Sequence, residues 1–199
     1  MPIPPLSVNP PGERVLLRPP RTSDARELRE VRIANAEHLA PWNPLPTPGI
    51  DPLALATIRA DIAKSRREWR ADRAFAFLIA AREPGEPLIG YLRLSEVVRR
   101  PFQNAYLGYW MAADRQGAGL MTEAVRLATG FAFREAGLHR IQAAVIPRNA
   151  GSRRVLLKAG FREEGVALRY LEIAGRWEDH VLHAITREEW SNLARAPER

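Results

Sequence analysis

The stretch that most constrains this chain is residues 110–124, WMAADRQGAGLMTEA. Just before its glycines, residues 105–111 are rich in aromatic and aliphatic side chains and read as a strand. After them, Leu120, Ala124, Leu127, Ala128 and Phe131 recur at helical spacing, so a helix runs to about residue 136, where Gly137 stops it. Gly117 and Gly119 let the backbone turn tightly and leave its N–H groups uncovered. Such groups, at the positive end of a helix dipole, form an anion site whose natural guest is a phosphate or pyrophosphate. A glycine pair in this place also serves as a purely structural turn. Two other phosphate loops are excluded. The chain has no G-x-x-x-x-G-K-[ST], and no G-x-G-x-x-G with an acidic residue about 20 positions later.

Composition narrows the class. With 199 residues, 46% of them hydrophobic, the chain can bury one good core. The reading is therefore a flexible proline-rich lead-in, residues 1–12, and a single domain over residues 13–194. No apolar run approaches the roughly 18 residues of a membrane helix. The N-terminus lacks the basic-then-apolar order of a signal peptide. The absence of cysteine excludes disulfides, thiolate metal sites and a cysteine nucleophile, and no other metal site is read. Together these features point to the cytoplasm. A net charge of +7 and a pI near 10.6 favour anionic partners such as a phosphorylated cofactor, although a merely solvated arginine-rich surface gives the same total. No segment interleaves basic and aromatic residues as a dedicated RNA-binding module does.

In chain order, residues 14–18 form a short strand closed by Pro19 and Pro20. Ser23 or Asp24 caps a helix that carries Leu28, Val31 and Ile33 and ends near Asn35. Pro41, Pro44, Pro46 and Pro48 forbid a continuing helix and hold a stiff loop. His38 and Trp42 on that loop could line a substrate mouth, and Trp42 could equally plug the edge of the core. A helix over 51–70 follows, then strands over 74–81, 88–97 and 105–111. The helix from Leu120 leads to a strand over 139–146 and a helix over 149–159, with Asn149 as cap and Gly160 as terminal glycine. A hairpin of 161–173 with 177–185 and a short amphipathic helix over 187–194 complete the chain. The order β-α-α-β-β-β-α-β-α-β-β implies an α/β (α+β) fold. It gives a mixed, mostly antiparallel sheet of about seven strands with four main helices.

The spacing Q-x-x-G-x-M at residues 116–121 resembles the coenzyme A loop Q/R-x-x-G-x-G/A of the GNAT N-acetyltransferase family, with Met121 where the family has a small residue. Arg140-Ile141, Pro147-Arg148-Asn149-Ala150-Gly151-Ser152 and Leu157-Lys158-Ala159-Gly160-Phe161 resemble the family's P-x-N-x-x-S … G-F segment. Gly108-Tyr109-Trp110, residues 116–124, Trp177-Glu178-Asp179-His180-Val181-Leu182 and His38-Leu39-Ala40-Pro41-Trp42 are similar to the RimJ/RimL branch, its RimJ-type members most of all. Members of that branch acetylate the N-terminal amine of ribosomal proteins. The resemblance covers roughly residues 14–190.

The resemblance implies the family's fold and an acetyl-CoA-dependent N-acetyltransferase. Trp110 and Met111 would offer strand backbone groups to the pantetheine arm. Gln116, Gly117, Ala118, Gly119, Leu120, Met121 and Thr122 would surround the pyrophosphate. Asn149 would hydrogen-bond the cofactor amide or the strand backbone while also capping its helix, and Ser152 would lie near the leaving thiolate. Many members carry a glutamate on the central strand, where this chain has Tyr106. Candidate bases are then Glu172, Glu178 and Asp179, and Tyr106 or Tyr170 could return a proton to the thiolate. The acceptor is read as a protein N-terminal amine, as on a ribosomal protein. A small amine, such as an amino sugar or polyamine, is the alternative acceptor. A non-catalytic module docking to the ribosome or RNA is the alternative class.

Overall fold

The computed structural model describes residues 3–7 and 9–195, with the backbone alone for 194 and 195. Met1, Pro2 and Val8 of the lead-in lie outside the described residues, as does the side chain of Ala194. The elements are β1 (Val15–Arg18), α1 (Ala25–Ala34), α2 (Ala36–Leu39), α3 (Leu55–Arg70), β2 (Phe75–Ala81), β3 (Leu88–Val98), β4 (Asn104–Met111), α4 (Leu120–Arg134), β5 (Arg140–Val145), α5 (Ala150–Lys158), β6 (Arg162–Ile173), β7 (Arg176–Thr186) and α6 (Arg187–Arg195). The expected order is the observed one, with the single turn of α2 added.

The seven strands form one sheet in the order β1-β2-β3-β4-β5-β7-β6. Every neighbouring pair is antiparallel except β4 with β5. That parallel pair sets up the site. Its register holds only from Asn104 opposite Arg140 to Tyr106 opposite Gln142. Beyond Tyr106, β4 stays with β3 as far as Met111, and β5 stays with β7 as far as Val145. Each strand is thus paired on its outer side and bare on its inner side, so the sheet opens as a V.

Helices cover both faces. On one, α4 and α5 close the main core, and on the other α1 and α3 pack on Leu78, Ala80 and Leu88. Strand β2 is buried at all seven positions because it is covered on both faces. The main core is centred on Trp69, Phe75, Phe77 and Phe131, whose ring centroids lie 5.0–5.5 Å apart, mostly edge to face. Each such pair adds about 0.5–1.5 kcal/mol beyond its burial, and together they fix α4 against the sheet.

Two local expectations need correction. Asp24 stands at the N-cap of α1, as expected, but makes no side-chain cap bond there; its carboxylate accepts the Arg21 N–H (2.6 Å) and binds the Arg18 guanidinium (2.7 Å). The proline loop begins helically, because Pro41 sits in the first turn of a 3-10 segment, Ala40–Trp42, where its missing N–H is not needed. The lead-in meets the core at Pro4. Trp69 is 1% exposed, and its indole N–H needs an acceptor, which the Pro4 carbonyl supplies at 2.7 Å.

Candidate active site

Strand β4 reaches α4 through a 3-10 turn, Ala113–Arg115, and residues 116–119. Gly117 and Gly119 hold φ of 80° and 79°, left-handed values that cost an L side chain about 1–2 kcal/mol. Gly119 is the N-cap of α4, and no side chain caps it. Among the described residues, the N–H groups of 117–122 donate to no other protein group. Met121 departs from the small residue of the family pattern because its side chain turns into the main core.

The loop is braced from outside by β1. Arg14 Nη1 donates to the Ala118 carbonyl (2.7 Å), and Arg14 Nε donates to Glu123 Oε2 (3.0 Å). Ala118 therefore faces Arg14, outside the lining of the cleft. Glu123 Oε1 accepts the N–H groups of Arg14 (2.9 Å) and Val15 (3.3 Å). Burial pushes the Glu123 carboxyl up, but these donors and the guanidinium outweigh it and hold the group below the ordinary carboxylate value.

A cleft of about 710 Å³ occupies the V between β4 and β5. Its walls include 107–111 of β4, 143–146 of β5, residues of the α4 loop and the start of α5. The Ala112 N–H donates to the Ile89 carbonyl of β3 (2.8 Å). Strand alternation then turns the N–H and C=O of Trp110 toward β3, and those of Tyr109 and Met111 toward the opening. At α5, Asn149 Oδ1 accepts the Ser152 N–H (3.0 Å) as helix cap. Ser152 Oγ and Tyr109 Oη share a hydrogen bond of 2.8 Å, and Tyr109 Oη also donates to the Ser152 carbonyl at 3.2 Å. Burial raises the Tyr109 phenol well above its ordinary pKa, with Ser152 pulling weakly the other way. The sequence reading assigned Tyr109 no role; its signal is parity, since residues 107, 109 and 111 share the face that meets α4 and α5.

On the other face the cleft is rimmed by His38, Leu39, Trp42, Leu171, Ile173 and His180. The His38 and Gln116 side chains meet at 2.8 Å, joining this rim to the α4 loop. Trp42 lies half-buried under the Arg148 guanidinium, 5.5 Å from the ring centroid, and Arg148 also binds Glu178 at 2.8 Å. Asn43 accepts the Ala174 N–H (3.0 Å), so the loop touches the tip of the β6–β7 hairpin.

The expected catalytic groups other than Ser152 fall outside the lining. Tyr106 stands beside Tyr170, whose phenol is raised by burial and by Tyr106. Leu171 and Ile173 take the cleft side of β6, so alternation points Glu172 away. Asp179 accepts the Arg169 N–H (2.8 Å), and Glu178 is tied to Arg148. Among the described residues, the lining contains no Asp or Glu at all.

Residues 14–162 match the acetyltransferase (GNAT) domain. A probable N-acetyltransferase of Bacillus subtilis, YjcK, is 36% identical over 174 residues, which cover 87% of this chain and 94% of that one. The [ribosomal protein uS5]-alanine N-acetyltransferase of Escherichia coli is 33% identical over 189 residues, covering 90% of this chain and 91% of the other. Among solved structures, Mycobacterium smegmatis RimJ in complex with CoA-disulfide superposes with a TM-score of 0.82 at 37% identity, over 90% of this chain and 88% of that one. With its opened β4–β5 pair and the glycine loop at its mouth, the chain belongs to the GNAT family and is an N-acetyltransferase.

Proposed function

We propose that this enzyme transfers the acetyl group of acetyl-CoA to the N-terminal amine of a protein, as the names of its RimJ-type relatives describe for them. The observation that carries the reading is the cleft itself. One opening through the sheet joins an uncovered helix N-terminus on the α4 face to a rim of aliphatic, aromatic and imidazole side chains without carboxylates on the other.

The donor's pyrophosphate takes the N–H groups of 117–122, and Arg154 and Lys158 on the same wall suit its remaining phosphate. The pantetheine arm lies along the bare edge of β4, where it meets Tyr109 and Met111 rather than the Trp110 backbone. The amine nitrogen attacks the thioester carbonyl carbon, the C–N bond forms, and the C–S bond breaks to release a thiolate. Tyr109 and Ser152 supply the returning proton; a phenol with a raised pKa remains protonated at neutral pH and so has one to give. Holding both reactants in line contributes several kcal/mol of the barrier reduction. At the rim, His38, Leu39 and Trp42 suit the first residue of a peptide. A polyamine or aminoglycoside carries several cations and meets no carboxylate on the described walls.

The test is thiol release from acetyl-CoA with peptides beginning in Ala, Ser or Met, set beside aminoglycosides and polyamines. Turnover confined to peptides with a free N-terminus is expected. Turnover confined to the small amines would overturn the acceptor assignment.

A further inference from the structure

An acceptor amine arrives mostly as an ammonium and must lose a proton before it can attack. With no carboxylate among the described lining residues, that proton needs another home. Two side chains of the described lining are imidazoles, the residue type most used for proton transfer at neutral pH: His38 and His180. His38 Nε2 is engaged by Gln116 at 2.8 Å.

His180 is different. It is 3% exposed, at the rim where β7 meets the cleft. Its Nδ1 lies 3.0 Å from the Glu178 carbonyl. A carbonyl only accepts, so Nδ1 carries the proton and Nε2 of the neutral ring holds the lone pair. No protein partner of that nitrogen is found among the described residues. His183, three positions on, makes the corresponding Nδ1 contact with Val181 at 3.1 Å. Strand alternation turns it to the opposite face, fully buried, with Nε2 3.5 Å from Glu163 and no place in the cleft.

Building on the acetyl-transfer reading, we propose that His180 is the general base that accepts the proton of the acceptor ammonium at Nε2. The freed amine attacks the thioester carbon, the thiolate leaves with the C–S electron pair, and the Tyr109–Ser152 pair returns a proton to it. The amide nitrogen then sheds its second proton, and one net proton passes to solvent. The base and the acid stand on opposite faces of the sheet, and the reaction centre lies in the V between them. Tyr170 lies 5.5 Å from His180 between ring centroids with Tyr106 beside it, and Glu178, two positions before His180 and so on its face of β7, is paired with Arg148.

The experiment uses the full chain and whichever amine the panel above shows the wild type to turn over, so failure of the acceptor assignment and failure of this one stay distinct. His180→Asn keeps a donor near the Nδ1 position for the Glu178 carbonyl and removes the base. The expected result is a kcat lower by about a hundredfold or more, an unchanged KM for acetyl-CoA, and loss of the acidic limb of the wild-type kcat profile. Wild-type kcat in His180→Asn, or the same acidic limb in both proteins, would overturn the proposal. Should that variant not fold, the wild type still decides the matter, because a wild-type kcat profile without an acidic limb also overturns it.

Discussion

Two helices begin at the rim of the same cleft, and they begin in opposite ways. At α5, Asn149 folds its side chain over the first turn and takes the Ser152 N–H, as a good N-cap does. At α4, a left-handed glycine starts the helix and nothing covers its donors. The difference follows from what each end can do. A capping side chain uses up the N–H groups that an anion would need, so a phosphate site requires an end left bare. That end is instead stabilised from the side, by Arg14 on the Ala118 carbonyl and by Glu123 on the β1 backbone. The capped end is satisfied within itself and is free to hold Ser152 against Tyr109.

The strongest way to break this contrast is Gly117→Pro. Nothing lies within 4 Å of where a Cβ would stand at Gly117, so space is not the obstacle. The obstacle is φ: proline locks it near −65°, whereas Gly117 holds 80°. The loop must then adopt another path and its N–H groups lose their common direction. Calorimetric titration is expected to show acetyl-CoA binding weakened by about a hundredfold, roughly 2.7 kcal/mol, with the melting temperature nearly unchanged because the loop is exposed. Wild-type affinity in this variant would remove the α4 start as the phosphate site.

That loop and the Asn149 cap were legible in the sequence because both obey local rules: glycines between strand and helix, a capping residue three before Ser152. The strands and main helices were legible for the same reason, since periodicity alone marks them. What the sequence hid depends on which side of a strand a residue takes. Tyr106 and Tyr109 differ by three positions on one strand, and alternation sends them to opposite faces. Glu172 is a plausible base by type, yet its neighbours Leu171 and Ile173 take the cleft side. His180 stood inside a recognised motif without a role, because only the tertiary structure shows the carbonyl that fixes its tautomer. The contact of Pro4 with Trp69 was hidden likewise, since the need of Trp69 for an acceptor appears only when its burial is known.

Glu123→Gln sharpens the comparison from the side of the brace. The amide still accepts a backbone N–H but loses its charge toward Arg14. We expect a loss of about 1–2 kcal/mol at neutral pH, low in the range for hydrogen bonds to a charged group because Arg14 is half exposed. The sign with pH is fixed by the lowered pKa of the folded carboxyl. Its stabilisation is fully present above the unfolded carboxylate value and is lost as pH falls through the folded one. Urea denaturation of both proteins should therefore show a gap that is widest near neutrality and closes in acid. A gap that stays constant as pH falls would mean the brace works by shape alone.

The smallest effect concerns the capped end, and it separates two roles of one residue. Asn149→Ala uncovers the first turn of α5 and is expected to cost about 1 kcal/mol in thermal or chemical denaturation. Asn149→Ser restores a cap acceptor without restoring the amide N–H₂ group. If Asn149 only caps, serine recovers stability and acetyl-CoA binding together. If its amide also donates to the bound substrate, serine recovers stability alone, and binding stays several-fold weaker in both variants. We expect the second outcome. Asn149 Oδ1 is taken by the Ser152 N–H, whereas the amide nitrogen has no partner found among the described residues, and Asn149 itself lines the cleft. The same comparison reports on Ser152: a helix start loosened by alanine and tightened by serine should shift the Tyr109–Ser152 pair with it, lowering kcat in the first variant more than in the second.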